Sequence, residues 1–243
     1  MNLRVLGQAA LVGAALMMAQ SAAAATFNFK SIAGGGAFTD TNSVAQTGGE
    51  ADWDSIVGAG LGVLDTVSGI SVIGSATNSD GTAEYAYFDN GAGLGACGNT
   101  GQCSPSNDDN VGAIGGSGNA GNGTSETLVL TFNQSVSISE LVFAAEGHGA
   151  FTGSLTINGV DTAIAGGTLN TAGGLTGSVF TFGYIPVPAG TDPASTNEFY
   201  ISAVTAGIDT NTTVGTVPVP AAGLLLLGAL GGLGVMRRRR KAA

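Results

Sequence analysis

Apolar side chains recur at every second position in short runs through the middle of this chain, never at the spacing of a long amphipathic helix. In ETLVLTF, Leu128, Leu130 and Phe132 share one face, and Thr127 and Thr131 take the other. Such alternation marks a half-buried strand, because successive side chains point to opposite faces. The tripeptide NQS (133–135) predicts a turn, after which Val136 and Ile138 resume the pattern. Leu141 and Phe143 carry the opposite parity, so a β-bulge is expected near Ser139 and Glu140. SLTINGVDTAI reads as a hairpin, with Asn158-Gly159 supplying a type I′ turn. SVFTFGY puts Phe180, Phe182 and Tyr184 on one side, and EFYISAV does the same with Phe199, Ile201 and Ala203. TFNFKSI, ISVIG and AEYAYF are further strands, a turn or two of helix is expected between Trp53 and Leu64, and long glycine-rich loops span Gly91–Gly123. Seven to nine short strands with such turns predict an all-β fold, a single jelly-roll-like β-sandwich.

Both ends break this pattern. Arg4, the apolar stretch Val5–Met18 and the small residues Ser21–Ala25 have the order of a secretory signal peptide, residues 1–25, cut by signal peptidase after Ala24 or Ala25. The far end is VPVPAAGLLLLGALGGLGVMRRRRKAA. Ala221–Met236 carries no charge and would make a helix of about 24 Å, short against a hydrocarbon core of about 30 Å. Arg237, Arg238, Arg239, Arg240 and Lys241 then act as a stop-transfer cluster on the cytoplasmic side. Pro218 and Pro220 hold the preceding segment extended, because proline and its predecessor both resist helix. A short transmembrane helix behind an extended handle suits transient anchoring and cleavage. IPVPAGTDPA (185–194) repeats the prolines without an apolar run and is expected to be a surface loop.

The three-part terminus resembles the PEP-CTERM class of C-terminal sorting signals in its VPLPA-type variant. Val217, Pro218, Val219, Pro220 and Ala221 stand where that variant has Val-Pro-Leu-Pro-Ala, Val219 replacing leucine. The resemblance implies an exosortase-like membrane enzyme as partner, which recognises the motif in a sorting segment covering residues 214–243. It also implies an exported protein, anchored in the membrane until processed and then at the cell surface or outside. The span from Tyr85 to Gly159, with AYFDNGAGLGACGNTGQCSPSNDDNVG, ETLVLTF and LTING, is similar to the small β-rich exoproteins that precede such tails. It supports the sandwich for the ectodomain, residues 26–213, and carries no activity with it.

Charge sharpens this picture. The whole chain is at −10, yet Lys30 is the one Lys or Arg between the two ends and faces all seventeen acids, which puts the body at −16. Such a surface repels phosphate backbones and excludes nucleic acid as a partner. Saline surroundings, divalent cations and basic partners suit it. In an oxidising compartment Cys97 and Cys103 are expected to pair as a disulfide. Their spacing does not match a C-x-x-C redox pair, and no second pair completes a zinc site.

Candidate chemistry is sparse. SPSNDDNVG gathers Asn107, Asp108, Asp109 and Asn110, oxygen ligands of the kind calcium takes, with Asp80, Asp89 or Glu126 available to complete a site. Asp108 and Asp109 are thus the candidate metal ligands and calcium the one cofactor suggested; a solvated turn reads the same residues equally well. His148 beside Glu146 has the residues of a general base but no nucleophile elbow, and a turn histidine explains it as well. Asp52 and Asp54 flank Trp53 in the manner of a glycosidase pair or of simple exposed acids. Trp53, Tyr85, Tyr87 and Tyr200 are the aromatics available for stacking on exopolysaccharide. The expectation is a non-enzymatic surface or matrix protein with no catalytic residues. A calcium-stabilised carbohydrate-binding module is the alternative, and a secreted hydrolase the weakest reading.

Overall fold

A computed structural model describes residues 23–79, 81, 83–98, 110–112, 125–186 and 197–210. The described residues up to Asp209 belong to one compact unit. Residues 1–22 of the expected signal peptide, Cys103, Asp108, Asp109, the sorting motif, the apolar run 221–236 and the basic cluster lie outside the described residues, whereas Ala25, at the expected cut, is buried in the first strand. Among the described residues no helix is long and apolar enough to cross a membrane.

The chain begins with strand β1 (Ala25–Asn28), where TFNFKSI was expected to continue as strand. It instead turns into the short helix α1 (Phe29–Ala33), because the Asn28 side chain accepts the backbone N–H of Ser31 at 2.8 Å and caps it. Strands β2 (Ala37–Thr39) and β3 (Ala45–Thr47) form a separate two-stranded sheet. Strand β4 (Ala51–Asp52) leads into helix α2 (Trp53–Val57), the single turn expected there, capped by Asp52. After β5 (Val63–Leu64) come β6 (Ser71–Asn78), β7 (Ala83–Asp89) and β8 (Gly93–Cys97). GLGAC is a strand where a glycine-rich loop was expected. It is buried along its whole length, so it shows no alternation to read. The long strand β9 (Glu126–Ala145) follows, then β10 (Gly153–Ile157), β11 (Val160–Ile164), β12 (Thr168–Tyr184) and β13 (Phe199–Ile208).

The all-β class is borne out. The main sheet is not a clear jelly-roll sandwich: β13, β8, β7, β6 and β9 pair in turn, antiparallel, and the β13–β9 pairing closes a five-strand barrel. The remaining strands of that sheet extend it: β12, β10 and β11 run on from β9, β1 pairs with β13, β4 with β7 and β5 with β6.

One strand makes the closure possible. Fully extended, the residues of β9 would span about 66 Å. Its two ends nevertheless meet. Glu126 N–H donates to Gly112 O at 3.0 Å, Val111 N–H donates to Phe199 O at 2.9 Å, and Phe199 pairs with Ala145. The strand therefore folds over at the NQS corner. Against β12 its register jumps from Thr131 opposite Val179 to Val136 opposite Gly177. Asn133 pins the corner by accepting from Ser71 N and donating to Gly69 O, each at 3.0 Å. Leu128, Leu130 and Phe132 of the first limb then face Ile138, Leu141 and Phe143 of the second across one core. Phe143 of the second limb has its ring 6.3 Å from that of Phe182 in β12, the residue paired with Leu128 of the first limb. Buried aromatic pairs of this kind add about 0.5–1.5 kcal/mol each beyond their burial.

The expected bulge is present. Thr205 pairs with Glu140 and Ala206 with Ile138, which leaves Ser139 as the extra residue. A second shift, between Ile201 and Ala203, corrects the reading of EFYISAV. Ile201 is buried in the core, Ala203 is not, and Val204 and Ala206 take the inward positions after it. The Asn158-Gly159 hairpin also stands. Ile157 pairs with Val160, and both turn residues have positive φ, 50° and 76°, as a type I′ turn requires.

Candidate functional site

Polar side chains gather where the two ends of β9 meet. Asp89 closes β7 and is 2% exposed; Glu126 opens β9 and is fully buried; Glu198, just before β13, is 3% exposed. The segment Asn110–Gly112 bridges the two glutamates. Val111 runs antiparallel beside Phe199, its N–H and C=O both bonded to that residue. Gly112 N–H donates to Glu126 Oε2 at 2.8 Å, so the carboxylate secures this segment to the start of β9. A Cβ on Gly112 would lie 2.8 Å from Glu198 Cγ, which shows how tightly Glu198 backs the same residue. Asn110, itself buried, donates from Nδ2 to Glu146 Oε2.

The turn after β9 carries the second half of the group. His148 adopts φ 62°, a left-handed conformation unusual for a side-chain-bearing residue. Its N–H donates to Ala145 O at 2.8 Å, and Nε2 lies 3.1 Å from Asp89 Oδ1. The imidazole also meets Tyr200 edge-on at 6.2 Å. Tyr200 forms with Ala92 and Ala144 a small buried cluster separate from the main core. Asp89, His148 and Tyr200 thus tie the β7–β8 turn to the β9 turn across β13.

These positions can be set against the sequence expectations one by one. Glu126 stands beside the 110–112 segment, next in sequence to Asp108 and Asp109, and Asp89 lies against His148; Asp108, Asp109 and Asp80 lie outside the described residues. Among the described residues no three His, Cys, Asp or Glu side chains are grouped to hold a metal ion. The described carboxylates are strung along the segment, and a calcium site there would need ligands from 107–109. Glu198 was missed in the sequence. The signal available was a glutamate directly ahead of a buried strand in EFYISAV.

His148 is a turn histidine held by a buried aspartate. The Asp52–Asp54 pair is not a convergent one: Asp52 is committed as a helix cap, accepting from Ser55 N at 2.9 Å and Ser55 Oγ at 2.7 Å. Of the four candidate stacking aromatics, Trp53, Tyr87 and Tyr200 are buried and Tyr85 alone is exposed, at 40%. Trp53 stacks on Phe88 at 5.2 Å inside the core and donates its indole N–H to Leu61 O. Cys97 is buried at the end of β8, and its expected disulfide with Cys103 falls outside the described residues.

No protein-family model, no curated protein and no solved structure matches the chain. Function has to be argued from the chemistry of the chain itself.

Proposed function

We propose that the protein is an exported, non-enzymatic component of the cell surface or extracellular matrix, sorted and processed at its C-terminal motif by an exosortase-like membrane enzyme. The observation that carries this reading is the order at the terminus: VPVPA at 217–221, an uncharged run to Met236, then five consecutive cations. The last described strand, β13, ends at Ile208, upstream of that motif.

The test is replacement of both Pro218 and Pro220 by Ala. The variant should accumulate as a larger, membrane-held form, while the parent is recovered outside the cell without its basic cluster. Intact mass spectrometry of the two fractions reads both outcomes. An external species that retains Arg240 would remove the sorting reading.

A second reading is favoured by one feature. Glu126 and Glu198 are buried carboxylates beside a segment that continues directly into Asp108 and Asp109, and Lys30 is the only Lys or Arg of the body. Carboxylate and amide oxygens gathered on a loop are the ligands a calcium ion takes. On this reading the body is a calcium-stabilised module that binds exopolysaccharide. Calcium should then raise the melting temperature and a chelator should lower it. Identical melts in both conditions would dismiss it.

A further inference from the structure

A cavity of about 180 Å³ lies beside the second limb of β9, lined by Lys30 from α1, by His148 and Gly149 from the turn after β9, by Gly167 and Thr168 entering β12, and by Ser202 from β13. Between the two ends of the chain, seventeen acids are accompanied by one Lys and one His. Both of those cationic-type side chains line this one cavity. In a body at −16 that placement concentrates all the positive potential available to the described residues at a single concave spot.

The cavity is built and not incidental. The Asn28 cap starts α1 one residue ahead of Lys30's neighbour Phe29, which is fully buried and anchors the helix. His148 is fixed at the rim by buried Asp89 and by Tyr200, while 45% of its side chain remains exposed. Gly167 has φ 75°, and a Cβ there would lie 2.8 Å from Phe143 O, so only glycine lets the opposite wall approach this closely. Ser202 is held by donating to Ala92 O at 2.6 Å. A larger groove of about 250 Å³, which includes Thr26, Phe38 and Asp65, offers no cation and gives no comparable argument.

The charge count selects the ligand. Lys30 is the one Lys or Arg lining the cavity, which suits it to a ligand with a single negative charge. The described residues contain no arginine, the fork that favours phosphate dianions. The volume is below the roughly 300–1,000 Å³ of drug-sized sites, enough for one small group and not for an oligosaccharide. We propose that the Lys30–His148 cavity binds a monoanionic carboxylate, of the kind carried by a free organic acid or by a uronate unit of a polysaccharide. This goes beyond the sorting reading and does not depend on it.

The experiment follows backbone amide shifts of the isotope-labelled full chain in detergent during titration with sodium acetate, sodium galacturonate and galactose. Lys30, Gly149, Gly167 and Ser202 amides should shift saturably with the carboxylates and not with galactose. Response to acetate alone, or to both acids, supports the proposal and separates a free acid from a polymer-borne one. Lys30→Gln should weaken binding by at least about fivefold, and Lys30→Arg should stay within about twofold, because the contact is a charge-assisted one. Lys30 is exposed, so neither variant threatens the fold. The proposal is overturned by shifts confined to the basic cluster at 237–241, by an equal response to galactose, by no saturable shift, or by unchanged affinity in Lys30→Gln.

Discussion

Asp40 is 2% exposed, yet it works as a carboxylate and not as a neutral acid. Its Oδ2 accepts from Gln46 Nε2, and its Oδ1 from the backbone N–H groups of Asn42 and Val44, each at 2.9 Å. The Gln46 amide foremost, then the Val44 N–H, hold its pKa below the usual carboxylate value, against the opposing pull of burial. A group whose folded pKa is depressed contributes stability that is present above the unfolded pKa and lost as pH falls through the folded one. Asp40→Asn should therefore lower the urea midpoint at neutral pH and flatten its decline in acid. A pH series of urea midpoints reads both effects, and equal acid slopes in the two proteins would contradict the assignment. Gly93 is constrained by geometry in place of charge. Its φ of 136° and a would-be Cβ 2.4 Å from Ile201 O let β8 reach β13, where Leu94 lies opposite Ile201 in one of the seams of the barrel. Gly93→Ala should destabilise by about 2–3 kcal/mol, measured by urea unfolding, since neither the conformation nor the contact tolerates a side chain.

At the scale of the element, β9 decides the fold. Ser139 is the extra residue that reverses parity, so that Val136 and Ile138 before it and Leu141 and Phe143 after it all point inward. Deleting Ser139 should leave Ile138, Glu140 and Leu141 in plain alternation, so that Leu141 and Phe143 stay inward and the cooperative unfolding transition survives. Ser139→Ala, which removes only a 3.3 Å bond to Thr205 O, should cost about 0.5–1.5 kcal/mol. Calorimetry on both variants checks the pair; loss of the cooperative transition in the deletion would show that the parity argument fails. This bulge was legible in the sequence because alternation is a local signal, as was the Asn158-Gly159 hairpin, where two residues suffice. The fold of β9 onto itself was not. NQS announces a corner, but its closure depends on Asn133 meeting Gly69 and Ser71, contacts far apart in the chain. The strand β8 escaped because burial on both faces erases alternation. Long-range pairing likewise hid Glu198, whose position depends on 110–112 meeting β13, and hid the His148 contact of Asp89 and the Gly112 contact of Glu126.

For the molecule as a whole, the dominant fact is seventeen acids against a single lysine between the chain ends. The lone lysine and the lone histidine sit together at one cavity, so they cannot neutralise carboxylates spread over the rest of the surface. Folding compresses those like charges, and self-repulsion destabilises the compact state. Salt shortens the reach of that repulsion, from about 30 Å at 0.01 M to about 8 Å at 0.15 M. Sodium chloride should therefore raise the melting temperature over this range, and a gain of about 1 kcal/mol would appear as a rise of about 2–4 °C. The effect separates two sources of stability when calcium chloride is compared at matched ionic strength. Screening alone predicts the same melting temperature with either salt. A cation held among Glu126, Glu198 and the neighbouring 107–109 ligands predicts an additional rise that follows calcium concentration, because a ligand that binds the folded state alone stabilises it by mass action. A melting temperature that falls or stays level as sodium chloride increases would mean that the acids are already compensated in the folded protein, and the charge argument at this scale would be lost.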